Sequence, residues 1–112
     1  MKNKNIIIIM ISLFIIISCK DSYAAIKWEK NLATAMKKAK SKNIPIMIDI
    51  YTDWCSWCKE LDKNTYSNNE VIETAKKMIS VKLNPETSEE GQEIARKYGV
   101  QGYPAIIFIN AD

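Results

Sequence analysis

Ile46-Met47-Ile48-Asp49-Ile50-Tyr51-Thr52-Asp53-Trp54-Cys55-Ser56-Trp57-Cys58-Lys59 is the stretch that decides how this chain folds and what it can do. Its first half is a nearly continuous apolar run of strand length, rich in β-branched residues and interrupted by one acid, Asp49. Such a run predicts a central strand covered on both faces. Its second half places two cysteines, two residues apart, where a helix opens and runs past Leu61. That spacing brings both sulfurs together across one helical turn. Cys55 falls at the helix N-terminus, where free N–H groups and the positive end of the dipole favour a thiolate, the nucleophile of disulfide exchange. Cys58, one turn further in, is expected to be less exposed and placed to resolve a mixed disulfide. Other uses of the pair fit less well. A structural disulfide closing so small a loop adds little stability. A zinc site needs two more good ligands. A c-type haem site needs His after the second Cys, and Lys59 stands there.

Working outward, Ile26 and Trp28 belong to a short first strand, and residues 29–42 read as a helix with Leu32, Ala35, Met36 and Ala39 as its apolar stripe. Asn43 stops it, and Pro45 opens the central strand. After the cysteine helix, Ser67 and Glu70 have capping-box spacing before a further helical stretch to about Met78. Ile79-Ser80-Val81-Lys82-Leu83 alternates like a strand. Thr87 and Glu90 form a second capping-box pattern ahead of Ile94, Ala95 and Tyr98, with Gly99 as a left-handed cap. Pro104 then leads Ala105-Ile106-Ile107-Phe108-Ile109, the last strand. The order β-α-β-α-β-α-β argues for an α/β sandwich whose sheet starts parallel.

Composition removes several chemistries. The 112 residues contain no His, so a Ser-His-Asp triad, a Cys-His nucleophile pair and a His-ligated metal or haem are excluded. No metal and no cofactor is called for by the remaining residues. Sixteen basic residues stand against thirteen acidic ones, which gives no electrostatic case for nucleic acid.

The first segment reads as an export signal. Lys2 and Lys4 precede Ile6 to Ile17, apolar except for Ser12, a run short of the ~20 residues a stable membrane span needs. Ile16-Ile17-Ser18-Cys19 resembles a bacterial lipobox, with Ile16 where Leu is usual. The expectation is a signal over residues 1–19 cleaved before Cys19, lipidation of Cys19, a linker over 20–25 and a folded domain over 26–112. Ser22-Tyr23-Ala24 offers an alternative cut after Ala24, which would make the chain a plainly secreted one. An uncleaved anchor is the third possibility, and all three place the domain outside the cytoplasm.

From residue 26 onward the chain resembles the thioredoxin superfamily. The run Ile48 to Lys59 is similar to its strand, Trp and CxxCK motif, Val81 to Asn84 to its third strand, and Lys97-Tyr98-Gly99-Val100-Gln101-Gly102-Tyr103-Pro104 to the approach to its cis-proline. The Trp-Cys-x-Trp-Cys-Lys form is similar to exported thioredoxin-like proteins akin to the C-terminal domain of DsbD. The resemblance implies a three-layer α/β sandwich with a mixed central sheet. It implies Cys55 and Cys58 as the redox pair, with Asp49 as a buried carboxylate beneath them. A carboxyl in a dry strand has a raised pKa and can pass a proton to or from Cys58, which agrees with that placement. Lys82, in the adjacent strand, is the expected partner of Asp49. Tyr103-Pro104 would be cis and face the cysteines, with Trp54, Tyr103 and Pro104 forming the substrate side. Trp57 is either a docking anchor or packs on the domain's own loop. The implied activity is thiol-disulfide exchange with disulfide-containing exported proteins, in the reducing direction, fed by a membrane electron donor of the DsbD type. An oxidase, an isomerase, a cytochrome-maturation factor and a non-catalytic adaptor are the alternatives. Ser56-Trp57 stands where ordinary thioredoxin has Gly-Pro, so a reduction potential does not carry over. Asn110-Ala111-Asp112 reads as the beginning of a turn, and the expectation is a domain lacking the usual last strand and helix.

Overall fold

In the computed structural model, which describes residues 25–112, strand Ile46–Ile50 occupies an inner position of a four-stranded sheet. The expected signal over 1–19, the lipidation of Cys19 and nearly all of the linker lie outside the described residues. The elements in chain order are β1 (Trp28–Glu29), α1 (Leu32–Lys42), β2 (Ile46–Ile50), α2 (Ser56–Glu60), a π-helical turn (Leu61–Thr65), α3 (Asn69–Ala75), β3 (Ile79–Leu83), α4 (Glu89–Lys97) and β4 (Ala105–Ile109). The sheet order is β1-β3-β2-β4. β1 and β3, and β3 and β2, run parallel, while β4 pairs antiparallel with β2. The sheet is mixed, as the resemblance implied.

Alternation along the strands builds the three layers. Ile46, Ile48 and Ile50 point to one face with Ile79, Val81 and Leu83, where they pack on Ala35 and Ala39 of α1 and Ile94 of α4. Ala35 and Ala39, four residues apart and fully buried, let α1 approach the sheet closely. Met47 points to the other face, onto Tyr66 and onto Ile72 and Ala75 of α3. Asp49 and Lys82 share that second face by strand alternation and are direct neighbours in the β2–β3 register. β4 obeys the same rule: Ala105, Ile107 and Ile109 join the first core, while Ile106 and Phe108 are exposed on the second face.

The helix ends differ from the sequence reading in instructive ways. α1 starts three residues later than expected, because Glu29 belongs to β1 and Asn31 caps the helix through Thr34 N–H. Asn43 ends it in the left-handed region at φ 52°. Neither expected capping box forms, and each N-cap lies one residue later. Asn68, not Ser67, accepts the N–H groups of Glu70 and Val71, and Ser88, not Thr87, accepts that of Gly91. Glu90 does not reach back to its own helix start. Its carboxylate instead accepts the N–H groups of Leu32 and Ala33, at 2.8 and 3.1 Å, so α4 caps α1 across the sequence. Gly91 lets the start of α4 lie close against the segment before it, since a Cβ there would lie 3.0 Å from the backbone of Asn84 and Pro85.

Candidate active site

β2 delivers the chain to the cysteines. Cys55 N–H donates to Thr52 O at 3.4 Å, and Cys55 is the extended N-cap of α2. The two cysteines are joined in a disulfide with their Cα atoms 5.3 Å apart. Cys55 Sγ accepts the N–H of Cys58 at 3.1 Å. The expected difference in exposure is absent, since both residues are 4% exposed in this disulfide state. The hydrogen bond is what separates the two sulfurs: Cys55 Sγ has the helix N–H and the positive helix end, a setting that stabilises its thiolate after reduction.

Around the cysteines the surface is aromatic. Trp57 is 75% exposed and Trp54 66%, so Trp57 does not pack on the domain's own loop. Trp54 is oriented from two sides. Its indole N–H donates to Glu86 at 2.5 Å, and its ring meets that of Tyr103 edge-on at 6.0 Å. Tyr103-Pro104 is a cis bond, the only one among the described residues, and the Trp54 contact sets it beside the motif. Both residues are half-buried.

Asp49 is 1% exposed on the second sheet face. The helical run through Cys58 covers the same face, because Leu61, three residues on and on the same helix stripe, packs into the core there. Burial pushes the Asp49 carboxyl above its usual range; a Tyr66 hydrogen bond and the Lys82 charge oppose this, and Asp62 adds to it. Lys82 lies only loosely on Asp49, with Nζ 3.9 Å from Oδ2, and its close partner is Asp62 at 2.5 Å. The ammonium also sits over the rings of Trp28, Tyr51 and Tyr66, at 5.2, 5.1 and 5.6 Å from their centroids. The direct partner of Asp49 is Tyr66, whose hydroxyl donates to Oδ2 at 3.0 Å.

The structure therefore gathers Cys55, Cys58, Trp54, Trp57, Tyr103 and Pro104 at one end of the sheet, with Asp49 and Lys82 on the face that the cysteine helix covers. Tyr66, Asp62 and Glu86 join the site without a signal in the sequence. Tyr66 stands five residues after Leu61, a step that the 3-4 helical spacing does not select, and the π-helical turn brings it inward. Among the described residues no group of three or more Cys, Asp or Glu side chains could hold a metal ion.

Known proteins share this arrangement. A family model described as thioredoxin-like matches residues 27–111. The chain is 39% identical over 82 residues to the thiol:disulfide interchange protein DsbD of Citrobacter koseri, covering 71% of this chain and 14% of that protein. It thus spans about a seventh of the length of that relative. A putative disulphide-isomerase from Bacteroides thetaiotaomicron superposes with a TM-score of 0.68 at 30% identity, covering 78% of this chain and 73% of the other. The C-terminal domain of Neisseria meningitidis DsbD in the reduced form gives 0.62 at 26% identity, covering 71% of each chain. With a strand-to-helix CxxC, a cis-proline beside it and a family model spanning nearly the whole described domain, the chain belongs to the thioredoxin-like family.

Proposed function

We propose that this domain is a thiol-disulfide oxidoreductase that reduces disulfides in exported proteins through Cys55 and Cys58. The observation that carries the reading is the placement of Cys55 Sγ as N-cap, accepting the Cys58 N–H, beside an exposed Trp57 and the cis Tyr103-Pro104. In the reduced protein the Cys55 thiolate attacks a client disulfide. One client sulfur leaves with the electron pair and a mixed disulfide forms. Cys58 gives up its proton to Asp49 and attacks Cys55 Sγ, which releases the second client thiolate and leaves the Cys55–Cys58 disulfide. Two electrons pass from the dithiol to the client. Trp54, Trp57, Tyr103 and Pro104 form the face that receives the client chain.

The reducing direction is supported by the group under the helix. A strong oxidant of this kind owes its potential to a stabilised reduced form. Here a buried carboxylate, only loosely paired with Lys82, disfavours negative charge on the sulfurs and so favours the disulfide product. Export, lipidation at Cys19 and supply of electrons by a membrane donor of the DsbD type complete the proposal. They are supported by the basic and apolar N-terminal segment and by the likeness to DsbD. The test is trapping. A Cys58→Ser variant should accumulate mixed disulfides through Cys55, released by dithiothreitol. Trapping through Cys58 in a Cys55→Ser variant, with none in Cys58→Ser, would reverse the roles.

A further inference from the structure

The Asp49 carboxylate has two unlike oxygens. Oδ2 accepts the Tyr66 hydroxyl at 3.0 Å and has Lys82 Nζ at 3.9 Å. Oδ1 is buried and has no hydrogen-bond partner. A buried carboxylate oxygen without a donor is costly to keep, and in a fully satisfied core it would be bonded. The asymmetry is built by Tyr66. This residue is 9% exposed, its ring meets Trp28 edge-on at 4.9 Å, and it closes the π-helical turn through its own N–H to Leu61 O at 2.9 Å. Such single π turns recur at functional sites, because the extra residue re-aims the side chains after it. Lys82 cannot substitute for the hydroxyl, since Asp62 and the three rings hold its ammonium away from Asp49.

We propose that Tyr66 is a positioning residue for proton transfer: it pins Oδ2 of Asp49 and leaves Oδ1 as the oxygen that takes the Cys58 proton. This rests on the oxidoreductase reading, and concerns a residue of the proton path rather than the dithiol. The groups facing Asp49 are Asp62 and Tyr66, from the π turn and its end, and Lys82 from β3; its β4 neighbour, Ile106, does not titrate. On the oxidoreductase reading the thiol of Cys58, from the helix over this face, joins them after reduction. In the step at issue the Cys58 S–H bond breaks, the proton moves to Oδ1, and the resulting thiolate forms the S–S bond to Cys55 as the leaving sulfur departs with its electron pair.

The test uses Tyr66→Phe, which keeps the ring against Trp28 and under Lys82 and removes only the hydroxyl. Reduced protein is mixed with 5,5′-dithiobis(2-nitrobenzoate) in a stopped-flow instrument. The first release of thionitrobenzoate reports attack by Cys55 and the second reports resolution by Cys58. Tyr66→Phe should leave the first phase unchanged and slow the second about tenfold on the acid side of that phase's pH midpoint, the worth of one hydrogen bond to a charged group. The pH midpoint of that phase should move upward, because the lost bond favoured the ionised carboxyl. In an Asp49→Asn background the same change should have no effect on the pH profile. A second readout does not depend on exchange at all: the carbon-13 titration of the Asp49 carboxyl in the oxidised protein should also move upward in Tyr66→Phe. An unchanged carboxyl titration, or an equal slowing of the second phase with and without Asp49, would overturn the positioning role. Loss of both phases in the wild type, with the Asp49 titration still moving upward in Tyr66→Phe, would instead overturn the oxidoreductase reading alone.

Discussion

The charge state of Asp49 should be written into the stability of the domain. Its carboxyl is 1% exposed and held above the usual carboxylate range by burial, against the opposing Tyr66 bond and Lys82 charge. The folded chain then binds this proton more tightly than the unfolded chain does. At a pH between the two values the native state carries more protons, so the unfolding free energy falls as pH rises. Stability from this group is fully present below the unfolded value near 3.9 and is lost as pH climbs through the raised folded value. One proton sets the greatest slope at about 1.4 kcal/mol per pH unit, and above the folded value the loss levels off.

Asp49→Asn keeps the side-chain shape and an acceptor for Tyr66 while removing the ionisation. Urea unfolding of oxidised wild type and variant, measured from pH 4 to pH 9, isolates this group because the other carboxylates cancel in the difference. The oxidised form also removes thiol titration. Asp49→Asn should match the wild type at the acid end and exceed it progressively as pH rises. A difference that stays constant with pH would refute the assignment of a raised, buried carboxyl. So would a wild type that gains on Asp49→Asn toward high pH, since that is the sign of a depressed one.

Three further outcomes are expected from the same contacts. Glu90→Ala removes the carboxylate that caps α1 from α4 and should cost about 1 kcal/mol in urea unfolding, whereas Thr87→Ala, which caps nothing, should cost little. Trp57→Ala, at a side chain 75% exposed, should leave the unfolding midpoint unchanged while raising KM for a disulfide-bonded client protein. Ile48→Ala, at a fully buried position between α1 and α4, should cost ~2–5 kcal/mol by calorimetry or denaturant unfolding.

The elements that sequence alone discloses are those where local and global signals agree. Ile46 to Ile50 reads as a buried strand because both of its faces are covered, and the cysteine pair reads as a helix start because the strand ends just before it. Asn43 and Gly99 mark their turns because only a left-handed backbone fits there, at φ 52° and 63°. Long-range partners are hidden. Nothing local tells that Glu90 serves a helix 57 residues away, so its spacing from Thr87 mimics a capping box that does not form. Register alone assigns Lys82 to Asp49, which holds at the backbone, yet the flexible lysine stem carries the ammonium to Asp62. Tyr66 escapes a sequence reading because a π turn breaks the helical period from which its direction would be read.

Cys55 and Cys58 are expected to cycle between dithiol and disulfide, with the couple donating electrons. The most direct measurement is the equilibrium of the full chain with glutathione buffers of graded composition. Each mixture is quenched by alkylation and the alkylated Cys55 and Cys58 are counted by mass. The expected result is a single two-electron transition whose potential lies nearer the reducing end of the relatives' range, about −270 mV, than its oxidising end. A transition near the about −120 mV of the oxidising relatives would contradict the reducing direction. A disulfide that stays closed under excess dithiothreitol in the folded protein would contradict the exchange chemistry itself.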